Sequence, residues 1–112
     1  MTDIKAKGLI TMAIKAIGLV EVEGSVAAVD ALDIMCKAAN VTLVTIERKL
    51  GGRLVTVVVS GDVSDVRAAV DAVVSGCIMK PVASAVIASP HEETKRILAL
   101  SAKNHNIDIS ED

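Results

Sequence analysis

The sequence predicts an α+β domain with the element order β-α-β-β-α-β, a four-stranded antiparallel sheet and a short helix at the end. Three observations predict it. Runs rich in Val, Ile and Leu with strand character alternate with longer segments of helical spacing. Two of the strand-like runs are separated only by the turn Lys49-Leu50-Gly51-Gly52-Arg53, whose paired glycines take positive φ without steric cost. The 112 residues suit one compact domain.

Each element has its own signal. Ala16 to Glu23 alternates and is rich in branched side chains, so it reads as a strand. Gly24-Ser25 breaks it, with Ser25 placed to cap the helix Val26 to Ala39. Val41 to Glu47 is the second strand. Leu54 to Ser60 is almost continuously apolar, the pattern of a central strand covered on both faces. Asp62 is placed to cap the helix Val63 to Ser75, and Asp65 in its first turn suits the positive end of the helix dipole. Val63, Val66, Val70, Val73 and Cys77 form one apolar face there. Pro81 precedes the fourth strand, Val82 to Ala88. Ser89-Pro90-His91-Glu92 has the look of a capping box opening a last helix, about Pro90 to Lys103. This order is the split βαβ arrangement of ferredoxin-like folds, with two helices over one face of the sheet.

Composition excludes several functions. The chain has no Phe, Tyr or Trp, and a net charge of −2. It therefore lacks both the stacking platforms and the positive field that nucleic-acid binding uses. No stretch approaches the ~20 apolar residues of a membrane span, and the first residues lack a signal peptide's long apolar region. These features lead to the expectation of a cytoplasmic protein with no nucleic-acid or membrane partner. Cys36 and Cys77 stand in apolar runs without metal-ligand spacing and are expected as reduced, buried packing residues. His91 and His105 are expected at the surface. No carboxylate pair, nucleophile motif or phosphate loop stands out. The expectation is a protein that is not an enzyme and has no cofactor, catalytic residue or metal site.

The helix Val26 to Ala39 carries only Asp30, Asp33 and Lys37 as charged residues, on one narrow stripe. The remainder is apolar almost all round, which points to a second subunit covering it.

A set of segments in order resembles a known family. They are Ala16-Ile17-Gly18-Leu19-Val20-Glu21 with Gly24, Ala28-Val29-Asp30-Ala31, Lys37-Ala38-Ala39-Asn40-Val41, Leu54 to Val59, Gly61-Asp62-Val63, Ala68 to Ala72, Val86-Ile87 and Pro90-His91. Together they resemble the single-domain, hexameric BMC-domain shell proteins of bacterial microcompartments, over about Ala16 to Leu98. The resemblance implies a BMC domain over 13–103, preceded by an N-terminal extension, 1–12, and followed by a polar tail, 104–112. It implies a structural protein: six copies form a flat disc with a small central pore, and discs tile into the shell of a polyhedral organelle around enzymes. The implied partners are five further copies, other shell proteins of the same microcompartment, and enclosed enzymes.

The resemblance also implies site residues. The pore loop is Leu50, Gly51, Gly52 and Arg53, where the usual pattern after Lys is apolar, Gly, Ser, Gly. Gly52 stands where the pore-lining Ser normally sits, and Arg53 replaces a Gly. Arg53 is then either at a mouth of the pore, favouring polar or anionic metabolites, or turned outward to pair with Glu47 or solvent. The edge of the disc is assigned to Lys37, Asn40, Ser89, Pro90 and His91. Lys37 can also pair with Asp33 at i,i+4. Ser89 replaces the Arg that usually precedes Pro-His, and Ser60 the Arg that usually precedes Gly-Asp. The alternative reading is an oligomeric, ferredoxin-like regulatory domain that senses a small molecule.

Overall fold

The computed structural model describes residues 13–105. The extension 1–12 and the end of the tail, 106–112, lie outside the described residues. The elements are β1 (Ala16–Glu23), α1 (Ser25–Ala38), β2 (Thr42–Lys49), a 3-10 turn (Leu50–Gly52), β3 (Leu54–Gly61), α2 (Val63–Gly76), β4 (Ala83–Ile87) and α3 (Glu92–Asn104). The sheet order is β2-β3-β1-β4 and all neighbours are antiparallel. The two helical connections each skip one strand, which is the split βαβ topology expected.

The period of two in β1 sends its side chains to two different cores. Val20 and Val22 join Val55, Val57 and Val59 of β3 under α1 and α2, against Ala27, Ala28, Ala31, Met35, Ala69, Val70 and Val73. On the opposite face Ile17 joins Ile14, Val44, Val58 and Ala102. The second cluster exists because α3 packs on that face, so β3 is covered on both sides as its apolar run predicts. A bulge in β2 between Leu43 and Thr45 adds one residue to the strand. Leu43 and Ile46 thereby reach the α1–α2 side while Val44 reaches the α3 side.

Polar contacts tie α3 down. Thr45 Oγ1 is 2.7 Å from Ser101 Oγ, and the Ser101 hydroxyl donates to the Glu47 carboxylate. His105 Nε2 lies 3.5 Å from the same carboxylate. Ser60 is buried; its hydroxyl donates to the Ala16 carbonyl and accepts from the Lys15 N–H, both at 2.9 Å.

Four expectations are corrected. The N-cap of α1 is Gly24, at φ 95°, and Ser25 is the first helical residue with no capping hydrogen bond. Only glycine adopts that entry angle without strain. Asp62 stands at the N-cap of α2 without a side-chain cap; its carboxylate lies 3.8 Å from Lys15 Nζ instead. The cap of α3 is His91, whose Nδ1 accepts from the Glu93 N–H at 3.0 Å, so the Ser89 capping box does not form. Pro90 is buried before the helix begins. Cys36 is exposed, because it follows Met35 by about 100° around α1 and so leaves the buried face. Residual desolvation and the Asp33 carboxylate push its thiol pKa up. Cys77 is half-buried, with Sγ 3.7 Å from the Ala27 carbonyl.

The tightest joint is Gly18. A Cβ there would lie 2.8 Å from both Val66 Cγ1 and Val70 Cγ2 of α2. Branched side chains held in one rotamer cannot move aside cheaply. Gly18→Ala should therefore cost about 1–3 kcal/mol. Gly76→Ala, where nothing lies within 4 Å of the added carbon, should be neutral or stabilise by up to ~1 kcal/mol. Urea denaturation at one fixed protein concentration checks both; equal midpoints would show that α2 does not seat on β1 this closely.

Candidate functional site

The turn between β2 and β3 is unusual in its backbone. Leu50, Gly51 and Gly52 have φ of 54°, 67° and 90° in succession. Positive φ at the two glycines is what their sequence predicts; at Leu50 no local signal predicts it. The Arg53 N–H donates to the Leu50 carbonyl at 3.3 Å, and the Arg53 carbonyl accepts from the Gly24 N–H at 3.1 Å. The turn is thus pinned to the β1–α1 junction. Leu50 is 64% exposed and belongs to neither core. Arg48, Lys49 and Arg53 are exposed, and among the described residues none of them forms an ion pair. Arg53 does not turn to Glu47, whose carboxylate is held by Ser101 and His105.

The other assigned residues gather elsewhere. At one end of the sheet Ala16 pairs with Gly61, Thr42 with Ser60 and Ile17 with Ile87. Lys37 in the last turn of α1, Asn40 just after it, and Ser89 to His91 after β4 all lie at that end. At the opposite end Leu54 pairs with both Glu23 and Lys49, and the turn projects beyond them. The two sets are separated by the length of α1, ~20 Å for its 14 residues. Lys37 Nζ is 2.7 Å from Asp33, which raises the lysine's pKa through a hydrogen bond and charge. The Asn40 N–H donates to the Asp65 carboxylate at 3.4 Å, so Asp65 braces the α1–β2 turn. Ser89 and His91 are exposed and Pro90 is buried.

Apolar surface is exposed on α1 at Val26 (75%) and Val29 (69%). Beside it the Ile78 N–H donates to Asp30 at 2.9 Å, bringing exposed Ile78 and Met79 to the same helix. An open groove on the α3 side of the sheet is lined by Leu19, Glu21, Thr56, Ala83, Ser84 and Ala85. Its lone carboxylate, Glu21, accepts from the Thr56 hydroxyl at 3.4 Å, and the lining holds no Lys, Arg, His or Cys. Among the described residues no three His, Cys, Asp or Glu side chains converge as a metal would require, and no helix is long and apolar enough to cross a membrane.

Comparison with known proteins bears on this arrangement. The BMC domain model matches residues 16–90. The bacterial microcompartment shell protein PduA of Salmonella typhimurium is 45% identical over 86 residues, covering 75% of this chain and 90% of that protein. The carboxysome shell protein CcmK2 of Thermosynechococcus vestitus is 43% identical over 89 residues, covering 76% and 86%. A crystal structure of a microcompartment protein from Desulfitobacterium hafniense superposes with a TM-score of 0.64 at 35% identity over 74% of this chain; the chain spans about half, 48%, of that one.

The positive φ values give a direct test. Gly52→Ala meets no atom within 4 Å, so its cost is backbone strain alone, about 1–2 kcal/mol. Thermal denaturation should show that loss with an unchanged circular dichroism spectrum; an unaffected midpoint would mean the turn adopts another conformation.

Proposed function

The chain belongs to the BMC-domain family of bacterial microcompartment shell proteins, and on that premise we propose that it forms a homohexameric tile whose central passage is lined by the Leu50–Arg53 turn. The observation that carries this reading is the opposition of the two residue sets. In any ring of copies with the turn directed inward, the Lys37 end of the sheet points outward. The pore and edge assignments made from the sequence are therefore compatible with one orientation of the subunit. Val26, Val29, Ile78 and Met79 supply apolar surface for a neighbour to cover, and an obligate interface of this kind buries more than ~2,000 Å² in total.

At the passage Gly51 and Gly52 add no side chains, so backbone lines the narrowest part. Six Arg53 guanidinium groups near one mouth attract small anionic or polar metabolites and repel cations. At the edge, Lys37 lies along the neighbouring tile and hydrogen-bonds to it, with Asn40, Ser89, Pro90 and His91 completing the contact. Ser89 has no guanidinium fork to offer, and Ser60 spends its hydroxyl within its own subunit. Self-tiling is accordingly weaker here than in relatives with arginines at those places, and other shell proteins of the same microcompartment are the natural partners. Enclosed enzymes are the cargo.

Sedimentation at micromolar concentration should show no appreciable monomer, and negative-stain images should show flat hexagonal discs. A stable monomer would overturn the reading. Lys37→Ala should leave the hexamer intact and reduce sheet formation; loss of the hexamer would place Lys37 inside the ring rather than at its edge. Arg53→Glu in assembled shells should lower entry of a small anion and raise that of a small cation, whereas unchanged fluxes would remove the turn from the passage.

A further inference from the structure

Between Lys49 and Leu54 the chain presents only two side chains, Leu50 and Arg53. Leu50 is held at φ 54°, a region that costs a non-glycine residue free energy. The isolated subunit gains little from it: the side chain is 64% exposed and absent from both apolar clusters. Glycine or asparagine would take that backbone conformation more easily. A strained, exposed, large apolar residue beside a guanidinium with no ion pair among the described residues is a feature that the subunit's own stability does not account for, and such outliers concentrate where function uses them.

We propose that Leu50 and Arg53 together select small amphiphilic monoanions, short-chain carboxylates, over strongly hydrated anions. The inference rests on the reading of the turn as the lining of a six-fold passage. Six guanidinium groups attract any anion, as do the nearby Arg48 and Lys49, which have no ion pair among the described residues. Six isobutyl groups then form an apolar ring next to the backbone-lined narrowest part, and this ring disfavours water and tightly held hydration shells. A carboxylate with a short alkyl tail places its charge against Arg53 and its tail against Leu50. Inorganic phosphate has no apolar part and must shed hydration at the leucine ring without compensation. The absence of aromatic residues in the chain leaves Leu50 as the means of apolar contact on this turn.

The test uses shells assembled from the full chain, with a fluorescent anion reporter enclosed and the entry of butyrate and of inorganic phosphate timed separately. The unsubstituted chain should admit butyrate several-fold faster than phosphate. Leu50→Gly should raise phosphate entry and reduce that ratio several-fold, while thermal stability stays equal or rises because the φ strain is relieved. Leu50→Asn, which also tolerates the left-handed region, should behave alike and serves if the glycine variant fails to assemble. A ratio unchanged in both variants, with Arg53→Glu still lowering the entry of both anions, would overturn the role of Leu50 and leave the passage standing. If Arg53→Glu also changes nothing, the turn does not line the passage, and the proposal falls with that reading.

Discussion

The register between β1 and β3 runs unbroken from Ala16 opposite Gly61 to Glu23 opposite Leu54, and the positions of the other parts follow from it. Because β1 lies between β3 and β4, the β2–β3 turn must leave at the end where β1 finishes. The segments after α1 and after β4 must leave at the end where it starts. A shift by one residue would send Val20 and Val22 to the α3 side and Ile17 to the α1–α2 side, exchanging the two cores. Gly18 secures the register from above, since only a residue without Cβ lets α2 approach to where Val66 and Val70 lie.

Small side chains determine how the layers stack. The α1–α2 side of the core is Val and Ala with Met35, so the helices sit close to the sheet and to each other. Close seating leaves little apolar surface on α1 to bury within the subunit, and Val26 and Val29 remain outside. That exposed apolar surface is what the proposed tile would cover with a neighbour, since obligate interfaces resemble a core cut in two. On the reverse face α3 is held by Ala99 and Ala102 and by the Thr45–Ser101–Glu47 hydrogen bonds. It covers the β2 side of the sheet and leaves the groove along β1 and β4 open.

Charge is distributed unequally between the two ends. Lys15, Lys37, Lys95 and Arg96 each lie against a carboxylate of their own chain. Such exposed pairs add little to stability, but they neutralise the surface on which they stand. Arg48, Lys49 and Arg53 at the turn have no such partners among the described residues. Their field reaches outward by about a Debye length, ~8 Å at physiological salt. Repetition around an axis would concentrate it; dispersal over isolated subunits would not.

The element order, the central place of β3 and the turn with its two glycines are legible in the amino-acid order, because they rest on periodicity and on local backbone preference. It also carried the family, through short segments in a fixed order. Ser25, Asp62 and Ser89 do not cap their helices, since a side chain able to cap does so only if tertiary contacts leave it in place. Gly24 took the first role by its φ, Lys15 drew Asp62 aside, and burial of Pro90 moved the third start to His91. Cys36 is exposed despite its apolar run because one helical step from Met35 changes a buried position into an exposed one. Leu50 at positive φ, the docking of α3 on the reverse face, and the separation of the turn from Lys37, Asn40 and His91 belong to the tertiary structure alone. Each depends on which strands are neighbours and in what register, and pairing between residues far apart in the chain leaves no local mark on either partner.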